Sequence, residues 1–126
     1  MSAFSETFLD HFLKPRNVGE LSNADIVGTA EELEKGGKII FYINLEGNKI
    51  KEIKYKVLGC PAAISAASII SEKSLNLNIL EAKDFSVENL KEWLGEMPDS
   101  IFECAKLALQ AFHNGITEFL ERRRDG

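Results

Sequence analysis

The chain has little of several features that would define its class. It contains only two cysteines, Cys60 and Cys104, too few for a disulfide scaffold, so we expect both thiols to be reduced. It has no excess of positive charge: 15 basic against 20 acidic side chains give a net charge of −5. This balance argues against general nucleic-acid binding, which needs a basic face.

Long apolar runs are also missing. The opening "MSAFSETFLDHFLKP" has no basic start and is interrupted by Glu6, Asp10 and His11, so it does not resemble a signal peptide. No later stretch approaches the length that a bilayer span needs. We therefore expect a soluble, cytoplasmic protein without a membrane partner, folded as one domain over residues 1–126.

Strand patterns occupy the first half of the chain. In "KIIFYINLEGNKIKEIKYKVLG", two runs rich in β-branched and aromatic residues flank the turn former "EGNK", which predicts two antiparallel strands with one lysine-rich, wet face. A weaker third strand is expected around "DIVGTA". Before it, Ser2 or Ser5 can cap a helix that runs to about Lys14.

Helical patterns occupy the second half. We expect helices over residues 61–75, with Pro61 at the first position, over residues 86–94, with Ser86 as cap, and from about residue 99 to the C-terminal arginines. The apolar stripe of the last helix comprises Ile101, Ala105, Ala108, Phe112, Ile116 and Phe119. The predicted fold class is α+β, a small antiparallel sheet of about three strands with helices packed on one face.

The two cysteines occupy different kinds of position. Cys60, in "LGCPAAISAASIISE", lies where strand gives way to helix, and the start of a helix favours a thiolate. A buried structural cysteine explains the same position equally well. Cys104, in "SIFECAKLAL", has the surroundings of a core residue.

Spacing alone does not complete a metal or catalytic site. There is no Cys-x-x-Cys pair, and His113 falls on the opposite side of its helix from Cys104. Glu103 is either an oxygen ligand or an ordinary exposed helix residue. Neither cysteine has an obvious histidine partner, and "EKGGK" lacks Walker spacing, so we expect no enzymatic activity.

Two motifs carry a resemblance to a known family. "LDHFLKPRNVGELSNAD", with His11, Pro15, Arg16, Asn17 and Gly19, resembles the N-terminal signature of IscU/NifU-type iron–sulfur cluster scaffolds. "LGCPAAISAASIISE" resembles the cysteine helix of that family, and the helix with Cys104 occupies the place of its last cysteine helix. The resemblance covers nearly the whole chain in the same order.

The resemblance implies a function as well as a fold. Members assemble a [2Fe–2S] cluster from iron and from the persulfide sulfur of a cysteine desulfurase, and then pass it to recipient proteins. The cluster, or a zinc ion in its place, is held by three cysteines with an aspartate nearby. Soft thiolate ligands suit such a cargo.

The sequence departs from that pattern at three places. The loop that carries the first cysteine and the aspartate of the family reads "GTAEELEKGGK", in which Glu31, Glu32 and Glu34 are the anionic residues. The histidine before the last cysteine is Glu103. The Leu-Pro-Pro-Val-Lys motif, similar to a chaperone docking site in some members, keeps only Pro98.

We therefore expect a scaffold-like protein with an altered ligand set. Cys60 and Cys104 are the expected cluster ligands, Cys104 is the expected sulfur acceptor, and Glu103 with Glu34 or another glutamate of residues 31–34 completes the metal set. Two alternatives remain: an adaptor or regulator of a cysteine desulfurase that binds no cluster, and a relay that carries persulfide sulfur without iron. The choice between iron and zinc, and a homo-oligomeric state, stay open.

Overall fold

A computed structural model describes residues 4–34 and 36–125. Within these residues, three strands lie between one N-terminal helix and four later helices. In chain order they are α1 (Glu6–Leu13), β1 (Ile26–Glu32), β2 (Gly37–Glu46), β3 (Lys49–Leu58), α2 (Ala62–Ser74), α3 (Ile79–Ala82), α4 (Val87–Leu94) and α5 (Asp99–Asp125).

The strands form one antiparallel sheet in the order β1-β2-β3. Alternate residues of β2 are fully buried, among them Ile39, Phe41 and Ile43, because successive side chains of a strand point to opposite faces. The predicted strands are confirmed, including the weak one, which is longer than expected because its pairing with β2 continues as far as Glu32 and Gly37.

Helix α1 begins at the cap that the sequence suggested. The Ser5 hydroxyl accepts a hydrogen bond from the Phe8 amide (2.9 Å) and donates one to the Leu94 carbonyl oxygen (2.6 Å). The same side chain therefore starts α1 and ties it to the end of α4. The alternative cap, Ser2, lies outside the described residues.

Helix α4 is also capped as predicted, and α3 was not predicted. Ser86 and Asn89 form a reciprocal capping box at the start of α4. Helix α3 has a single turn, begun by Asn78, whose side chain accepts from the Leu80 amide (2.8 Å). One turn gives no periodic pattern to detect, and it forms where Ile79 is buried in the core.

Helix α5 lies across β1 and β2. Its apolar stripe packs into or against the core from Ala105 to Phe119 as expected, whereas Ile101 is only half-buried and lies outside the core cluster. Phe112 is fully buried, with its ring edge against Phe41 at 5.5 Å between centroids. The helix approaches β1 closely where Gly115 faces Gly28. A Cβ on Gly28 would lie 2.8 Å from the Gly115 nitrogen, closer than real side chains come to backbone. The two glycines therefore set the helix-to-sheet spacing.

Among the helices of the described residues, none combines the length and hydrophobicity of a membrane span.

Candidate functional site

Cys60 sits in the tight connection between β3 and α2. The preceding Gly59 has φ = +71°, and a Cβ there would lie 2.5 Å from the Gly36 carbonyl oxygen, so only glycine fits. Gly37 covers the other side of Cys60, whose Cβ is 3.2 Å from the position a Gly37 side chain would take. Cys60 is consequently buried, with 4% of its surface exposed. Gly36 and Gly37 thus pack closely against the Gly59–Cys60 junction.

Cys104 reaches the same place from the second turn of α5. It is half-buried, and its Cα is 6.0 Å from that of Cys60. The two sulfurs are bonded to each other as a disulfide. The expectation of two reduced thiols is therefore wrong for this structure. The reason is tertiary: α2 packs against α5 and brings the two Cα atoms within the normal range for a disulfide, which a separation of 44 residues cannot reveal.

A pocket of about 360 Å³ opens beside the two sulfurs. It is rich in acidic side chains, and its lining comprises Glu31, Glu32, Cys60, Glu103, Cys104, Lys106, Leu107 and Gln110. Three carboxylates against one ammonium group make the pocket attractive to cations.

Each carboxylate of the pocket already has a partner. Glu103 is 2.8 Å from the Lys106 ammonium group, and Glu31 is 3.4 Å from that of Lys38. Glu32 accepts a hydrogen bond from the Glu34 amide (2.9 Å). The two ion pairs are solvent-exposed and therefore weak, so an incoming cation can displace either lysine at small cost.

The structure brings together most of the residues singled out from the sequence. Cys60, Cys104 and Glu103 share the pocket, together with Glu31 and Glu32. Glu34 does not line it and lies exposed in the turn after β1. Within residues 4–34 and 36–125, no three His, Cys, Asp or Glu side chains are grouped tightly enough to bind a metal ion as they stand. Glu31 and Glu32 line the pocket because β1 continues to Glu32. The sequence pattern predicted a shorter strand and therefore did not single out these two residues over Glu34.

The two histidines lie away from this pocket. Nδ1 of His11 is 2.7 Å from the Ser68 hydroxyl, and burial in the protein lowers the pKa of His11. Burial also lowers the pKa of His113, which packs beside Phe112. Neither histidine lines the thiol pocket.

The N-terminal motif forms a polar cluster that holds α1 and the following loop on α2. The Ser68 hydroxyl accepts a hydrogen bond from the Arg16 amide (3.0 Å), and the Asn17 side chain donates to the Ser71 hydroxyl (2.9 Å). Tyr55 is buried nearby, and desolvation raises its pKa to about 12. The motif therefore has a structural role in joining elements that are distant along the chain.

These features define a class of protein: a small α+β domain in which two sulfurs meet in an acidic pocket at one end of a helix pair. The comparison with known proteins gives the family. The model of the NifU-like N-terminal domain matches residues 3–125. The chain belongs to this family.

Relatives with assigned names agree with this membership. The chain is 34% identical over 119 residues to iron–sulfur cluster assembly scaffold protein IscU 1 of Archaeoglobus fulgidus, covering 94% of this chain and 78% of the relative. It is 33% identical over 122 residues to scaffold protein IscU of Aquifex aeolicus, covering 95% and 78%. The fold matches that of the N-terminal part of a nitrogen-fixing NifU-like protein from Brucella abortus, with a TM-score of 0.70, 17% identity and 94% of both chains covered.

Proposed function

We propose that this protein is an iron–sulfur cluster assembly scaffold. It receives sulfur from a cysteine desulfurase and receives iron, holds a [2Fe–2S] cluster as cargo, and transfers it to recipient proteins. The observation that carries the proposal is the convergence of Cys60 and Cys104 in one acidic pocket, within a family whose relatives are named as scaffolds. The role is that of a carrier and not of a catalyst.

The proposed ligand set follows from the chemistry of the pocket. Cys60 and Cys104 supply two soft thiolates, which suit iron and sulfide. Glu103 supplies a carboxylate, and Glu31 or Glu32 is better placed than Glu34 to add another. Carboxylates are harder ligands than thiolates, so this set should hold its cargo less tightly than an all-cysteine site. Weak retention suits a protein that must give the cargo away.

Reduction must come before loading. A sulfur bonded to the other sulfur cannot act as a thiolate ligand, so the Cys60–Cys104 bond has to be opened first. The ion pairs of Glu31 and Glu103 with lysines must also give way as the iron arrives. The two ion pairs can open by side-chain movement alone, because both carboxylates are at least half exposed.

Anaerobic reconstitution tests the proposal. The reduced protein is incubated with ferrous iron, cysteine and a cysteine desulfurase, and then desalted. We expect visible absorbance of an iron–sulfide chromophore, with acid-labile sulfide and iron in equal amounts. Metal analysis of protein purified without oxygen distinguishes iron from zinc.

Matched variants make the assay specific. Cys60→Ser and Cys104→Ser should each lose the chromophore, whereas Thr117→Ser, an exposed change further along α5, should retain it. Absence of bound iron and sulfide in the wild type contradicts the proposal. If both cysteine variants still capture the desulfurase in that case, the protein is an adaptor. A stable added sulfur without iron indicates a relay.

A further inference from the structure

We propose that Cys60 is a resolving thiol, which releases sulfide from a persulfide carried on Cys104. This inference rests on the proposed function, since it needs a persulfide donor such as the desulfurase. The starting observation is that the two sulfurs are bonded directly to each other in the structure. Cys60 can therefore reach the Sγ atom of Cys104 itself, and not only an atom attached to it.

Exposure assigns the two roles. Cys104 is half-buried and faces the pocket, so the sulfur of a donor can reach it from solvent. Cys60 also lines the pocket, but it is only 4% exposed and packs against Gly37. A donor meets Cys104 first, and Cys60 then attacks from within the protein.

The sulfide-releasing step needs no reactant besides the Cys60 thiolate and the Cys104 persulfide. The Cys60 thiolate attacks Sγ of Cys104, the inner sulfur of the persulfide, and a new bond forms between the two cysteine sulfurs. The bond between Cys104 Sγ and the outer sulfur breaks, and the outer sulfur leaves with the electron pair as hydrosulfide. The outer sulfur is reduced from the sulfane to the sulfide level, and the two thiol sulfurs are oxidised to a disulfide. The Cys60 proton passes to solvent.

The disulfide in the structure corresponds to the product of this step. An external dithiol reductant then restores both thiols by exchange, which supplies the two electrons of each cycle. Meanwhile Glu31, Glu32 and Glu103 attract cations to the pocket where the sulfide is set free. Sulfide would thus be produced where ferrous iron is concentrated.

An experiment without iron tests this step directly. The protein is reduced, freed of reductant and treated anaerobically with a cysteine desulfurase and limiting cysteine. Hydrosulfide is measured colorimetrically, and the trapped thiols are mapped by mass spectrometry of alkylated peptides. For the wild type we expect one sulfide released per chain and a Cys60–Cys104 disulfide.

The variants separate the two roles. Cys60→Ser should retain a stable persulfide on Cys104 and release no sulfide above the desulfurase blank, until an added small thiol liberates it. Cys104→Ser should acquire no persulfide, and Thr117→Ser should behave as wild type. Thermal melts of the reduced proteins check that each variant is folded.

Three results would overturn the inference. One is release of sulfide from Cys60→Ser at the wild-type rate. The second is accumulation of persulfide on Cys60 of the wild type, which means attack on the outer sulfur and simple relay. The third is a wild-type persulfide on Cys104 that persists. Because no iron is present, failure of cluster binding does not affect this assay. Conversely, a wild type that builds a cluster but shows any of these results loses only the resolving role.

Discussion

Opening and closing the Cys60–Cys104 bond should change the stability of the whole domain. The bond joins residues separated by 44 positions, and cross-linking a loop of that length removes conformational entropy from the unfolded chain. The chain-entropy relation gives about 4 kcal/mol of added stability at room temperature. For a domain of this size, that corresponds to a rise in melting temperature of roughly 10–20 °C.

Thermal unfolding followed by circular dichroism measures the effect. Wild-type protein is melted with and without a strong reductant, after mass spectrometry has established the redox state of each sample. The oxidised form should melt at the higher temperature. Cys60→Ser should melt at one temperature under both conditions, because it cannot form the bond.

Two outcomes would refute this reasoning. A fully oxidised wild type that melts within about 3 °C of the reduced form would mean that the cross-link does not restrict the unfolded chain as assumed. A wild type that stays reduced under mild oxidation would mean that the two cysteines do not meet in solution.

Two further predictions concern the fold. Gly28→Ala should lower the free energy of unfolding by at least about 1–3 kcal/mol in urea titrations, because the new methyl group meets the backbone of Gly115; unchanged stability would contradict the close approach of β1 and α5. Burial lowers the pKa of both His11 and His113 in the fold, so the unfolded chain binds protons more readily. The stabilisation that comes from keeping these histidines neutral should therefore be fully present above the unfolded histidine pKa of about 6.5. The free energy of unfolding should fall as the pH drops below that value. His11→Gln should show a smaller loss between about pH 7 and pH 5.5 in the same titration, and an equal loss would refute a role for His11.

Much of the fold could be predicted because its determinants are local. The strand alternation of β2, the serine caps of α1 and α4 and the apolar stripe of α5 each involve residues only a few positions apart. Helix α3 escaped prediction because one turn has no period, and the length of β1 escaped because pairing with β2 extends it.

The candidate site was predictable only in part. The sequence alone determined that Cys60 stands at a strand-to-helix junction and that Cys104 lies early in the last helix. It also determined the acidic character of residues 31–34. It could not show that Glu31 and Glu32 line the pocket while Glu34 does not, because that choice depends on where β1 ends.

Only the tertiary structure decided that the two sulfurs meet. It also decided that Gly28 and Gly115 touch, and that the N-terminal motif attaches to Ser68 of α2. The physical reason is the same in each case. Local patterns fix the conformation of neighbouring residues through capping, steric limits and periodic burial, whereas the distance between remote residues depends on how whole helices and strands pack together.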